Sequence, residues 1–121
     1  TTEIYTLSLH DALPIYSALP EPNCMASLIA ADIKYGSASG RVLFFSNPDD
    51  KSDRIKMTIK MSTDEGMTWP AGNAVEIYRP QGYGYSCLTM VDEEHVGILY
   101  EGTKELYFQK IPVRDFYNEG K

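Results

Sequence analysis

The chain is poor in the residues that build metal centres and disulfide scaffolds: 121 residues hold two cysteines, Cys24 and Cys87, and two histidines. The cysteines are too few for a disulfide framework and have no metal-ligand spacing, so the reading is two buried, reduced thiols in apolar strands and no metal or cofactor. Positive charge is scarce as well. A net charge of −6 with no basic run argues against a nucleic-acid partner or an anionic membrane surface. No apolar stretch approaches the roughly 18 residues that cross a bilayer, and no basic-then-apolar leader opens the sequence. Length allows at most one domain of ordinary size with one modest core.

What the chain has instead is a succession of short strand patterns. Residues 1–16 stand apart from them: Glu3 to Ile15 resemble translated sequencing-adapter read-through, a non-native leader to be excluded from fold reasoning. His10 and Asp11 leave the candidate list with it, and removing Glu3 and Asp11 leaves the remainder acidic. From Leu19 the prolines at 20 and 22 favour an extended lead-in. Cys24 to Ile33 reads as a strand buried on both faces, followed by a Ser/Ala turn between Gly36 and Gly40. A second strand covers Arg41 to Ser46 and a loop covers Asn47 to Asp53. Arg54 to Met61 alternates, with Ile55, Met57, Ile59 and Met61 on one face, and so reads as a third strand. Ala74 to Tyr78 is the fourth. A second set follows at Tyr83 to Met90, Val96 to Glu101 and Glu105 to Ile111, with His95 at an exposed turn tip. Four antiparallel strands and then three are expected to form one blade (about 24–79) and an incomplete one (about 83–111), with a tail at 118–121.

The chain's one tryptophan closes a distinctive stretch, Ser62-Thr63-Asp64-Glu65-Gly66-Met67-Thr68-Trp69. Asp64 is suited to accept backbone N–H groups across its own turn, Gly66 to supply a positive φ, and Trp69 to return to the apolar layer. This fits Ser-x-Asp-x-Gly-x-Thr-Trp at every fixed position and resembles the Asp-box of sialidases. The motif is a folding clamp at Ser62, Asp64, Gly66, Thr68 and Trp69, not a catalytic one.

The resemblance to bacterial exo-α-sialidases extends from about Leu19 to Phe116. It rests also on Leu19 to Ser27, on Leu43 to Pro48 followed by Arg54, on Gly84-Tyr85-Ser86-Cys87-Leu88, on Leu99-Tyr100-Glu101, and on Glu105 to Ile111. It implies an all-β fold: the last two blades of a six-bladed propeller spanning 17–117. It further implies hydrolysis of terminal α-linked sialic acids, sialylated glycans as partners, and a periplasmic or secreted location. Arg54 would be the third arginine of a triad that grips the sugar carboxylate by paired charge-assisted bonds. Tyr85, with Tyr83 as rival, would be the nucleophile. A carboxylate in that role would meet the substrate's own carboxylate about 4 Å away, a repulsion of roughly 4 kcal/mol at an effective dielectric of 20. A phenol avoids this but needs a base, since its ordinary pKa is about 10. Glu101 matches the carboxylate that supports the first arginine, and Met25 stands as an apolar pocket wall where some relatives have glutamine. No segment here matches the acid/base aspartate, the activating glutamate or the first two arginines, which belong to earlier blades. The chain alone is therefore expected to be inactive. Two rival readings are a non-catalytic glycan-binding Asp-box propeller and a purely structural β-repeat, and convergence of Arg54 and Tyr85 on one concave face would speak against the second.

Overall fold

The computed structural model describes residues 19–35 and 38–117; the expected leader at 1–16, the tail at 118–121 and Gly36 lie outside them. Seven strands follow in order: β1 (Ser27–Tyr35), β2 (Ala38–Pro48), β3 (Met57–Ser62), β4 (Ala74–Tyr78), β5 (Ser86–Asp92), β6 (His95–Glu101) and β7 (Leu106–Pro112). Short 3-10 turns occupy Ala71–Asn73 and Val113–Phe116, and there is no α-helix among the described residues. Every pairing is antiparallel. Strands β1-β2-β3-β4 make one sheet and β5-β6-β7 a second, in sequence order. The four-plus-three grouping thus follows the sequence pattern.

The core lies between the sheets. From the first come Ala31, Ile33, Val42, Phe44, Met57, Ile59 and Met61; from the second, Leu88, Val96, Ile98, Tyr100 and Ile111. Phe116, on the last turn, closes this layer edge-on against Phe44, with ring centroids 5.1 Å apart. Two serine contacts hold the sheets at one end: the Ser46 and Ser86 hydroxyls lie 2.7 Å apart, and the Leu88 N–H donates to Ser27 Oγ at 3.0 Å.

Several sequence expectations give way here. β1 is not buried on both faces: it is one of the sheet's two edge strands, Asp32 and Lys34 face solvent, and Leu28 is 44% exposed. Cys24 precedes it, half-buried, and Cys87 is exposed on β5; both are free thiols, but not the buried pair expected. Gly40 lies within β2 instead of ending a turn. β3 starts at Met57 and not at Arg54, because Lys56 adopts a φ of 58° and its N–H leaves the ladder for the Arg79 carbonyl. The strand is then buried at every position instead of alternating. Its reverse face is covered too: Trp69 packs against Phe45 at 5.9 Å, Asn47 Nδ2 donates to the Pro20 carbonyl at 2.8 Å, and Lys60 pairs with Asp49 at 2.9 Å. His95 begins β6, half-buried, its Nδ1 2.8 Å from Asp92 Oδ1.

The Asp-box folds as its residues require. Asp64 Oδ1 accepts from Ser62 Oγ at 2.7 Å and from the Thr68 N–H at 2.9 Å, and Oδ2 takes the Thr68 hydroxyl. Gly66 sits at φ 89°, the left-handed region a side chain rarely adopts, and Trp69 Nε1 donates to its carbonyl. The box joins the end of β3 to the start of β4.

Candidate active site

Antiparallel pairing decides which ends meet. Ser27 pairs with Ser46, Pro48 with Met57, and Ser86 with Tyr100. The residues before β1, before β3 and before β5, and the last residue of β6, therefore gather at one end of the two sheets. Those are the positions of Met25, Arg54, Tyr85 and Glu101. The Asp-box lies at the other end of β3.

Residues 83–85 are not strand, against expectation: β5 starts at Ser86. Gly84 stands at φ 94°, and the flanking backbone bonds elsewhere: Gly82 N–H to the Arg54 carbonyl at 3.1 Å and Tyr83 N–H to the Gly102 carbonyl at 3.3 Å. Tyr85 is thereby held at the mouth of β5, 45% exposed, with its N–H on Glu101 Oε1 at 3.2 Å. Its carbonyl accepts the Glu101 N–H at 3.0 Å. Tyr83 is 53% exposed and is not on a strand face shared with Tyr85.

Arg54 approaches from the β2–β3 loop. Its guanidinium carbon lies 5.8 Å from the centre of the Tyr85 ring, within cation–π range. Nη1 donates to the Tyr83 carbonyl at 2.7 Å and Nη2 to the Asn23 carbonyl at 3.2 Å. Below the pair, burial holds the Cys24 thiol above its ordinary value, with Glu101 and Glu21 adding to this and Arg54 opposing it. A shallow hollow of about 290 Å³ is lined by Glu21, Asn23, Cys24, Met25 and Tyr85, and Met25 is 66% exposed along it. A second hollow of about 230 Å³ joins Tyr83, Glu101, Lys104, Glu105 and Leu106.

One end thus carries a cation, a phenol and a carboxylate beside exposed aromatic and apolar surface, a set suited to an anionic, ring-shaped ligand. Among the described residues no group of three His, Cys, Asp or Glu could hold a metal ion. Asn23, Cys24 and Gly84 also belong to this end; in the sequence they stand within the resembling stretches Leu19 to Ser27 and Gly84 to Leu88, with no site role marked on them.

No model of a known protein family matches the sequence. The chain is 41% identical over 99 residues to a sialidase of Bacteroides fragilis, covering 81% of this chain and 18% of that protein. It is 41% identical over 85 residues to a sialidase of Micromonospora viridifaciens, covering 69% of this chain and 13% of the other. Its fold matches the solved Hadza microbial sialidase Hz136 with a TM-score of 0.72 and 42% identity, over 79% of this chain and 19% of that one. The chain therefore spans less than a fifth of the length of these relatives. Shared sequence at this level, carried on the antiparallel two-sheet fold of a sialidase propeller, makes the chain a member of the sialidases.

Proposed function

We propose that these residues form part of an exo-α-sialidase that releases terminal α-linked sialic acid from glycoconjugates through a covalent intermediate on Tyr85. The observation that carries this reading is the juxtaposition of Arg54 and Tyr85, 5.8 Å from guanidinium carbon to ring centre, beside Glu101. A guanidinium presents parallel N–H donors that match a carboxylate, and sialic acid carries its carboxylate on the anomeric carbon. With the carboxylate on Arg54, the anomeric carbon comes within reach of the neighbouring phenol.

The phenol oxygen then bonds to the anomeric carbon as the bond to the departing glycan oxygen breaks. The phenol proton goes to a base and the glycan oxygen receives one from an acid, and water later cleaves the tyrosyl link. Base and acid are supplied by parts of the longer enzyme that do not match this segment. Glu101, bonded to the Tyr85 backbone, is suited to support a second cation facing the same ligand. Met25 gives the hollow an apolar wall. The 121-residue chain alone is inactive in this account, since it lacks most of the groups the reaction needs.

A fluorogenic sialoside tests the assignment in a full-length sialidase carrying this segment. Tyr85→Phe is expected to lower kcat at least about a thousandfold, as loss of a covalent nucleophile does, while Tyr83→Phe keeps most of it. Equal losses at the two positions would remove Tyr85 from the chemistry. A purely structural repeat has no use for an exposed tyrosine set against an arginine, so the same measurement separates the two readings.

A further inference from the structure

Asn23 and Gly84 share a backbone property that the reaction does not itself require. Asn23 has φ 62° and Gly84 has φ 94°, both in the left-handed region. Asn23 bears one of the two carbonyls that hold Arg54, and Gly84 directly follows the other, that of Tyr83. We propose that Asn23 and Gly84 are positioning residues: their left-handed backbones aim two carbonyl oxygens at Nη1 and Nη2, fixing the plane in which Arg54 meets the substrate carboxylate. This rests on the reading of Arg54 as the carboxylate-binding group.

A guanidinium on a long flexible stem binds a carboxylate in two-point fashion only when its plane is set. The carbonyl bonds, at 2.7 and 3.2 Å, take two of the five N–H donors and fix that plane. Gly84 has a second reason to lack a side chain. A β-carbon there would stand 2.8 Å from Cys24 Sγ and 3.0 Å from Arg54 Cδ, so any other residue would push the arginine stem off its seat. At Asn23 the side chain is not what matters, because the bond to Arg54 comes from the main chain. Asparagine is among the few residues besides glycine that tolerate this conformation, and a β-branched residue does not.

The test is made in a full-length sialidase carrying this segment, by measuring KM and kcat on a fluorogenic sialoside and the inhibition constants of sialic acid and of its methyl ester. Asn23→Val is expected to weaken binding of the acid about ten- to hundredfold, the worth of one hydrogen bond to a charged group, and to leave the ester unchanged. Asn23→Gly keeps both the conformation and the carbonyl and should stay within about twofold of the parent. Gly84→Ala should behave as Asn23→Val does and should cost nothing further in an Arg54→Ala background, because both changes act through one group. The proposal is overturned if Asn23→Gly loses as much as Asn23→Val, if acid and ester weaken equally, or if Gly84→Ala and Arg54→Ala multiply independently; the role of Arg54 survives each of these. An Arg54→Ala variant that keeps its preference for the acid over the ester overturns the reading of Arg54 and the clamp together.

Discussion

Asp64 shows how much one carboxylate can organise. Desolvation pushes its carboxyl up, yet the bonds from the Thr68 hydroxyl, the Thr68 N–H and Ser62 together outweigh this and hold it below its ordinary value of 3.8. A group depressed in the folded state contributes stability that is present in full above the unfolded value and lost as pH falls through the folded one. The acid limb of the stability curve should therefore soften below about pH 4 in the parent and flatten in Asp64→Ala, which should cost about 1–3 kcal/mol at neutral pH by urea melts. Tyr107 makes the opposite case. Its hydroxyl donates to Glu105 at 2.7 Å, and that bond, with desolvation and the Glu105 charge, lifts its pKa to about 12. Its contribution is complete below pH 10 and is lost as pH rises toward 12; burial raises Tyr100 as well, so ultraviolet titration should find late tyrosines, of which Tyr107→Phe removes one. The Asp64 turn was legible because a fixed spacing specifies it. Asn23 was not, since nothing local in Pro22-Asn23-Cys24 demands a positive φ; that demand comes from Arg54, distant in the chain.

Among the elements, β2 and β3 carry the core. Phe44 is fully buried against Phe116, so Phe44→Ala should destabilise by about 3–5 kcal/mol through lost transfer energy and an unfilled cavity, read from denaturant midpoints. The number, order and antiparallel pairing of strands were legible because apolar runs and turn residues alternate along the chain. Strand limits were less so. The alternation from Arg54 to Met61 is real in the sequence, but Lys56 turns out of the ladder and leaves Arg54 in a loop, where its guanidinium can cross to Tyr85. Tyr83 to Tyr85 reads as strand for the same reason and is bent away by Gly84. Both departures bring a side chain into the candidate site, where sheet hydrogen bonding gives way to contacts that the linear pattern does not encode.

At the scale of the whole molecule, the second sheet leaves a face uncovered. Leu99 pairs with Phe108 across β6 and β7, and both, with Val91 and Leu106, are exposed. A contiguous apolar surface of this kind favours association. The isolated chain should form oligomers or aggregates in light scattering, while replacing Leu99 and Phe108 by polar residues should shift it toward monomer. The central claim, that the Tyr85 phenol bonds to the sugar, has a direct test. A full-length sialidase carrying this segment is treated with a sialosyl fluoride bearing a second fluorine beside the anomeric carbon, which slows turnover of the covalent species, and is then digested and analysed by mass spectrometry. The account predicts a sialosyl adduct on the peptide containing Tyr85 that disappears in Tyr85→Phe; an adduct on another residue, or an unmodified Tyr85 in an inactivated enzyme, would contradict it.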